Sequence, residues 1–245
     1  MTASNSPGLA YLRLLSQMLD RVREEQWPRI SEAAVLVADA VGGGRFLYAF
    51  GSGHSHMLAE ELFYRAGGLV RVRPILFEGL MLHAGARLST ELERVPQVAD
   101  ALLAEHPMEA GDVLIVASNS GGNAVGSRLV VRVKPLGVRV IAVTSIRHAT
   151  SGDARSNELP RLHELADVVI DNGGVPGDAA IDIAGFGRRV APTSTVLGAA
   201  ILNAIVAEAV RLLVERGTPP DVYLSANVEG GDNANARFVR AADTP

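Results

Sequence analysis

Two short loops rich in glycine and serine contain the residue types that bind an anion. They are Gly51-Ser52-Gly53-His54-Ser55 and Ser118-Asn119-Ser120-Gly121-Gly122-Asn123. Each loop follows an apolar run and precedes a stretch with helical spacing, an order typical of the carboxyl end of a parallel strand. Glycine lets the backbone approach a ligand closely, and the N–H groups that begin a helix attract phosphate. We therefore expect both loops to bind an anion such as phosphate, with the serine hydroxyls as additional donors.

Neither loop matches a nucleotide-binding fingerprint. The Lys-Ser or Lys-Thr pair of a P-loop is missing, and so is the glycine spacing G-x-G-x-x-G. A single glycine-rich turn between a strand and a helix is as often a packing feature as a ligand site. The second loop of the same kind favours the ligand site.

The composition limits the class of protein. The chain has 245 residues, of which 48% are hydrophobic and 4% aromatic, and its formal net charge at pH 7 is -4. This length fits one α/β domain, whereas the acidity and the few aromatic rings argue against nucleic acid or an anionic membrane as a partner. The N-terminus has no basic segment leading into an apolar one, and no apolar run approaches a membrane span in length. We expect a cytoplasmic protein.

The residue types also argue against a cofactor or metal. The chain contains no cysteine, and His54 and His56 have no carboxylate at a spacing familiar from metal sites. Lys134 is the only lysine and is followed by proline, so Schiff-base chemistry has one poorly placed candidate.

The apolar periodicity predicts one alternating α/β domain. Residues 1–44 form an N-terminal helical extension, residues 45–217 an α/β core and residues 218–245 a C-terminal loop and helix. Strands are predicted at residues 46–50, 70–76, 113–117, 138–144 and 166–171. Helices are predicted at 9–26, 28–41, 56–65, 90–106 with an interruption at Pro96, 124–133, 196–214 and 234–242. The polar segment 145–161 is predicted to be a long loop, either a lid or a surface excursion. Segment 223–233 either closes over a neighbour's site or caps the last helix.

Four side chains are candidates for proton transfer. Removal of a proton beside a carbonyl needs a carboxylate or an imidazole within hydrogen-bond distance of the carbon. Glu61 lies on the helix after the first loop, and His54 lies within that loop. Glu78 and His83 follow the second strand, where site residues collect in this architecture. Each also has a structural interpretation, such as a solvated helix face for Glu61 or a hydrogen-bonded structural histidine for His83.

Over most of its length the chain resembles the sugar isomerase (SIS) phosphosugar-binding family. The first loop fits the family pattern Gly-x-Gly-x-Ser, and the second fits Ser-x-Ser-Gly-x-Thr with Asn123 in place of threonine. A polar cap containing Ser194 and Thr195 begins a long late helix, as in the family. The segments Gly-Ser-Gly-His-Ser-His and Ser-Ala-Asn-Val-Glu-Gly-Gly-Asp resemble a bacterial branch of stand-alone SIS proteins.

The resemblance implies a three-layer αβα sandwich with a five-stranded parallel, flavodoxin-like sheet. It also implies a homodimer or homotetramer with sites near subunit interfaces, and a sugar phosphate held by the serine loops and the cap with Ser194 and Thr195. At two positions this chain departs from the family pattern, and both are positions where relatives have an acid or a base. Arg65 takes the position of a glutamate that related isomerases and lyases use, and Asn203 takes that of a late histidine. The base is therefore expected elsewhere in the chain.

Three functions are compatible with these residues, because the fold does not choose among them. The relatives that isomerise hexosamine phosphates use a lysine near the C-terminus, and this chain has none there. We therefore favour removal of the carbon-2 proton of an amino-sugar 6-phosphate, followed by loss of water from N-acetylglucosamine 6-phosphate. The alternatives are an aldose–ketose phosphosugar isomerase and a non-catalytic module that senses a sugar phosphate.

Overall fold

Five parallel strands form the central sheet. The structure, a computed structural model, describes residues 6–151 and 158–242. The strands are β1 (Leu47–Gly51), β2 (Val72–Ile75), β3 (Val113–Ala117), β4 (Arg139–Thr144) and β5 (Val168–Asp171). Their order across the sheet is β2-β1-β3-β4-β5, which is the flavodoxin-like order. The predicted fold is confirmed, and in this order ligands bind where the strand order reverses, between β1 and β3.

Helices cover both faces of the sheet. They are α1 (Pro7–Arg21), α2 (Trp27–Gly42), α3 (His56–Leu62), α4 (Leu82–Leu92), α5 (Val98–Glu105), α6 (Ala124–Val133), α7 (Ile146–Ala149), α8 (Leu162–Leu165), α9 (Ser194–Glu215) and α10 (Gly231–Ala242). One π-helical turn, Val22–Gln26, joins α1 to α2. A short antiparallel hairpin, β6 (Ala179–Asp182) and β7 (Arg189–Pro192), precedes α9 and was not predicted from the sequence.

Two apolar layers stabilise the sheet. On one face, small side chains such as Ala34 and Ala38 of α2 are fully buried, which allows close packing of α2 beside α9. On the other face, Leu129 and Val130 of α6 pack with Leu102 of α5. β1 and β3 are buried along their whole length, because helices cover both of their faces.

Helix α9 is long and apolar enough to cross a membrane by length and composition alone. Its apolar residues have another explanation, since Ile201, Leu202 and Ile205 are buried in the core layer that α2 and α3 share. The composition of α9 is therefore that of a core helix.

Three local predictions were wrong. Helix α3 ends at Leu62 rather than Arg65, because Phe63 is extended and Tyr64 has a positive φ of 42°. The stretch 90–106 is interrupted around Pro96 as predicted, but the first of its two helices begins at Leu82 rather than Thr90. Within the predicted loop 145–161, Ser145 caps the short helix α7. Residues 152–157 of that segment lie outside the described residues, so the lid interpretation stays a prediction.

The segment before α10 folds back on this helix. The side chain of Asn235 accepts a hydrogen bond from the N–H of Leu224 at 3.0 Å and donates one to its carbonyl at 2.8 Å. Within one chain, residues 223–233 thus act as the turn that leads into α10.

Candidate active site

The two serine loops begin side by side at the carboxyl edge of the sheet. β1 and β3 are neighbours, and Gly51 is paired with Ala117 in their register. A Cβ atom on Gly51 would lie 2.2 Å from the backbone oxygen of Ser55, so only glycine fits this turn. Gly53 and Gly121 have φ values of 57° and 62°, which favour glycine. The backbone thus places both loops at the start of their helices.

A carboxylate connects the two loops. Asn123 Nδ2 donates to Ser52 Oγ at 2.8 Å and to Glu93 Oε2 at 2.9 Å. Ser52 Oγ donates to the same carboxylate oxygen at 3.2 Å. Glu93 lies immediately after α4 and its side chain therefore holds donors from both loops. An anion that binds these donors competes with Glu93 for them.

The second loop is tied to the strands around it. The N–H of Gly121 donates to Ser118 Oγ at 3.2 Å, and Asn119 Oδ1 accepts from Asn172 Nδ2 at 3.1 Å. Asn119 Nδ2 is buried and has no hydrogen-bond partner within residues 6–151 and 158–242. Arg161 Nη1 donates to the carbonyl of Ser120 at 3.2 Å. Arg161 brings a positive charge to a loop that the sequence predicted to have little.

Glu61 contacts both of the residues that depart from the family pattern, Arg65 and Asn203. Its Oε1 accepts from Asn203 Nδ2 at 2.7 Å and pairs with Arg65 Nη1. Asn203 lies on α9, which packs beside α3. Arg65 and Asn203 thus both hold the carboxylate of Glu61, which is a predicted proton-transfer group.

The histidines near the first loop differ in burial. His56 is buried, and its Nδ1 contacts the carbonyl of Gly53. A carbonyl only accepts hydrogen bonds, so Nδ1 carries a proton and Nε2 of the neutral ring is an acceptor. This Nε2 is 3.8 Å from Glu60 Oε1, and the ring centroid is 5.7 Å from that of His83. His54 and His83 are exposed.

A family model described as SIS domain matches residues 10–145, which is more than half of the chain. The chain belongs to the SIS domain family. A relative in Geobacillus thermodenitrificans, named UPF0309 protein, is 42% identical over 229 residues, which are 94% of this chain and 92% of the relative. This relative supports the predicted bacterial branch of SIS proteins.

Two solved structures share the SIS fold at low identity. A phosphoheptose isomerase from Francisella tularensis is 14% identical with a TM-score of 0.57, and covers 85% of this chain and 98% of its own. The phosphoheptose isomerase from Neisseria gonorrhoeae is 17% identical with a TM-score of 0.52, and covers 82% and 94%. At these identities the similarity shows the fold alone.

Other predicted site residues of the SIS domain lie in the turn after β2 and at the start of α9. Glu78 is exposed in the 3-10 turn after β2. The hydroxyl and N–H of Ser194 donate to the carboxylate of Asp178 at 2.5 and 2.9 Å, and Thr195 is partly exposed on the first turn of α9. Asp178 thus caps α9 with a carboxylate at its N-terminus.

Three polar residues that contact predicted site residues of this SIS domain were not themselves predicted from the sequence. Glu93 is 30 positions from Asn123, Arg161 is 41 positions from Ser120, and Asp178 belongs to a loop without a motif. No local signal identifies Glu93 and Arg161, because the fold brings them to the serine loops from distant positions, and Asp178 contacts Ser194 at the start of α9 instead. Within the described ranges, no three His, Asp or Glu side chains are grouped to hold a metal ion.

Proposed function

We propose that this SIS domain protein is an enzyme that removes the carbon-2 proton of N-acetylglucosamine 6-phosphate and eliminates water from it. The observation that carries the proposal is the junction of the two serine loops, where Ser52, Asn123 and Glu93 meet, with Glu61 further along α3. The site therefore combines anion donors with two carboxylates.

The phosphate binds at the serine loops in this proposal. The dipoles of α3 and α6 favour a negative charge at the first turns of these helices. Ser55 and Ser120 add hydroxyls, and the guanidinium of Arg161 adds a positive charge near Ser120. The arriving phosphate displaces the carboxylate of Glu93 from Ser52 and Asn123, which turns Glu93 toward the sugar.

The two carboxylates supply a base and an acid. Glu61 is six residues beyond Ser55, a distance of about 9 Å along a helix, which is compatible with reaching the sugar of a bound hexose 6-phosphate. Glu61 takes the proton from carbon 2 of the open-chain aldehyde, and the electron pair forms an enolate. Glu93, once released from Ser52 and Asn123, takes up a proton from water. The enolate then forms the carbon-2 to carbon-3 double bond and expels the carbon-3 oxygen, to which Glu93 gives this proton to form water.

Incubation in deuterated water tests the reaction. We expect the purified protein to remove one water from N-acetylglucosamine 6-phosphate, read by mass spectrometry, with exchange at carbon 2 seen by proton NMR. Glu61→Gln should lower both by about 10²- to 10⁴-fold, whereas Glu93→Gln should retain exchange and lose elimination. The matched controls are the exposed neighbours Glu60→Gln and Glu91→Gln, which should retain activity.

Three results decide against the proposal or its parts. Full turnover in both Glu61→Gln and Glu93→Gln overturns the assignment of base and acid. Ser120→Ala should weaken phosphosugar binding about 10-fold or more, and unchanged affinity contradicts the phosphate site. Binding without exchange or loss of water across a panel of hexose, hexosamine and N-acetylhexosamine 6-phosphates identifies a sensor of sugar phosphates.

A phosphosugar isomerase is the second candidate. The observation in its favour is the histidine pair, in which Nε2 of His56 is an acceptor and the ring of His83 is 5.7 Å away. Such a pair can move a proton between two oxygens of a sugar. Two solved proteins with the same fold are phosphoheptose isomerases. Deuterium uptake with a new isomer, lost in His83→Gln, identifies this function.

We further propose that the protein is a cytoplasmic homodimer or homotetramer. Exposed apolar residues support the assembly, with Leu9, Leu12 and Leu19 on α1 and Phe186 at the tip of the hairpin. Sedimentation at several concentrations should give a mass of two or four chains, and a single-chain mass at all concentrations contradicts the proposal. Cell fractionation tests the location.

A further inference from the structure

A second cleft lies at the end of the sheet opposite the serine loops. Its volume is about 690 Å³, which is in the range of small-molecule sites. Its walls are the outer edge of β2, the end of α2, the residue after α5 and the segment that follows α9. Because the cleft includes the residues before β1 and at the start of β2, it faces the amino ends of these strands.

Two arginines give this cleft a positive charge. The guanidinium carbons of Arg71 and Arg73 lie 5.2 and 4.1 Å from the ring centroid of Phe46. Arg71 donates to the carbonyl of Gly44 at 2.8 Å. Within residues 6–151 and 158–242, neither arginine forms an ion pair with a carboxylate. Asp221, the acidic residue among those described in the cleft wall, is paired with Arg237 at 2.8 Å.

The edge of β2 offers a backbone donor beside these arginines. The N–H of Leu47 donates to the carbonyl of Arg71 at 2.9 Å, so the next residue, Val72, turns its N–H and carbonyl away from β1. The segment after α9 pairs with the same edge just before β2, where the N–H of Val70 donates to the backbone carbonyl of Asp221 at 3.1 Å. The N–H of Val72 therefore points toward the cleft that it lines.

Aromatic rings form the other part of the wall. Phe63, at the end of α3, is 39% exposed, and Phe238 of α10 packs edge-on against Tyr223 with ring centroids 5.9 Å apart. Flat apolar surfaces of this kind bind aromatic groups by stacking or edge contacts. The cleft thus combines a cationic part and an aromatic part.

We propose that this cleft binds a phosphorylated aromatic molecule of the class of nucleoside monophosphates. The phosphate binds Arg71, Arg73 and the N–H of Val72, and the base contacts Phe63 and Phe238. Both guanidiniums lie within 5.2 Å of the Phe46 ring centroid and have no carboxylate partner among the described residues, so a phosphate that contacts them adds the missing negative charge and accepts charge-assisted hydrogen bonds. The site is separate from the serine loops and does not depend on the proposed reaction.

Calorimetric titration with adenosine 5′-monophosphate tests the proposal. We expect it to bind at least 10-fold more tightly than adenosine or ribose 5-phosphate, because each of these has only one of the two parts. Arg73→Ala should lower the affinity at least 10-fold. The matched control Arg139→Ala should leave it unchanged, since Arg139 is at the amino end of β4 and lies 3.8 Å from Asp167. Ser120→Ala should also leave it unchanged.

Phe63→Leu provides a second test that keeps the charge of the cleft. This variant should weaken binding of adenosine 5′-monophosphate and leave ribose 5-phosphate unaffected. The proposal is overturned if the wild-type protein does not bind the nucleotide, if Arg73→Ala and Phe63→Leu both bind it as tightly as the wild type, or if Ser120→Ala abolishes binding. In the first case, the arginines and Pro74 serve to protect an exposed sheet edge from pairing.

Discussion

The loop junction at the carboxyl end of the sheet and the cleft at the amino end of β2 differ in how their charges are paired. At the carboxyl end, carboxylates hold polar donors, as Glu93 holds Ser52 and Asn123, and Asp178 holds Ser194. At the amino end of β2, two arginines have no carboxylate partner among the described residues. In the two proposals, a phosphate at the serine loops therefore replaces the carboxylate of Glu93, whereas a phosphate at the cleft neutralises positive charge that has no carboxylate partner among the described residues. Exchange favours selectivity, because a weak anion does not displace the protein's own carboxylate.

The largest effect is expected from a substitution at Gly51, which would disrupt the site at the carboxyl end of the sheet. In Gly51→Ala the new Cβ atom would lie 2.2 Å from the Ser55 oxygen, so the first loop must move away from the second. We expect phosphosugar affinity to fall more than 100-fold and the free energy of unfolding to fall by about 3 kcal/mol. Titration calorimetry and chemical denaturation measure the two quantities.

Gly126→Ala is the matched control for this loop. Gly126 lies on α6, and its Cβ atom would meet Val116 at 3.6 Å, which is an ordinary contact. This variant should retain binding and stability. Wild-type affinity in Gly51→Ala contradicts the geometry of the first loop.

A smaller effect is expected from removal of the carboxylate that caps α9. Asp178 Oδ1 accepts from the N–H groups of Thr193 and Ser194 at 3.0 and 2.9 Å. Asp178→Ala should lower the free energy of unfolding by about 1–2 kcal/mol, since the helix loses its cap. Asp178→Asn keeps an acceptor and should lose less. Equal stability of Asp178→Ala and the wild type in urea denaturation argues against this cap.

The smallest effect concerns pH and the amino-end cleft. Burial lowers the pKa of His106, and Arg73 lowers it further, whereas Glu105 raises it. The folded state therefore favours the neutral ring, and this stabilisation is present above the unfolded pKa of about 6.5 and is lost as the pH falls below it. The melting temperature should fall between pH 7.5 and 5.5, and His106→Gln should reduce this dependence.

The pH dependence of the melting temperature also tests the positive charge of the amino-end cleft. Arg73→Ala should also reduce the pH dependence, because it removes the positive charge that opposes protonation of His106. Adenosine 5′-monophosphate bound in the cleft should likewise reduce the pH dependence of the melting temperature. An unchanged slope in His106→Gln shows that other groups cause the acid destabilisation.

The central elements of the fold could be predicted because their signals are local. β3 and α6 match the sequence prediction to the residue, since an uninterrupted apolar run and a polar loop mark their ends. The end of α3 could not be predicted, because it depends on the positive φ of Tyr64, which no turn residue signals. The hairpin β6–β7 is only partly buried and contains Gly185 and Gly187, so its alternation is weak.

The candidate site was predictable only where its residues belong to motifs. The serine loops follow strands directly, and the sheet order then brings them together. Glu93 follows a helix end without a motif, and its contact with Asn123 depends on the path of α4 across the sheet edge. The functional assignments of Glu61, Glu78, His54 and His83 stay predictions.

The hydrogen bond between Gln26 and β5 joins two segments that are made at different times during synthesis of the chain. Gln26 Oε1 accepts from the N–H of Asp171 at 3.1 Å, across 145 positions. At a typical rate of about 5–20 residues per second, the ribosome needs about 7–29 s to make the chain between them. During this time the apolar face of α2 has neither β5 nor α9 to pack against. Slow translation within this interval should therefore lower the yield of folded protein, even when the sequence is unchanged.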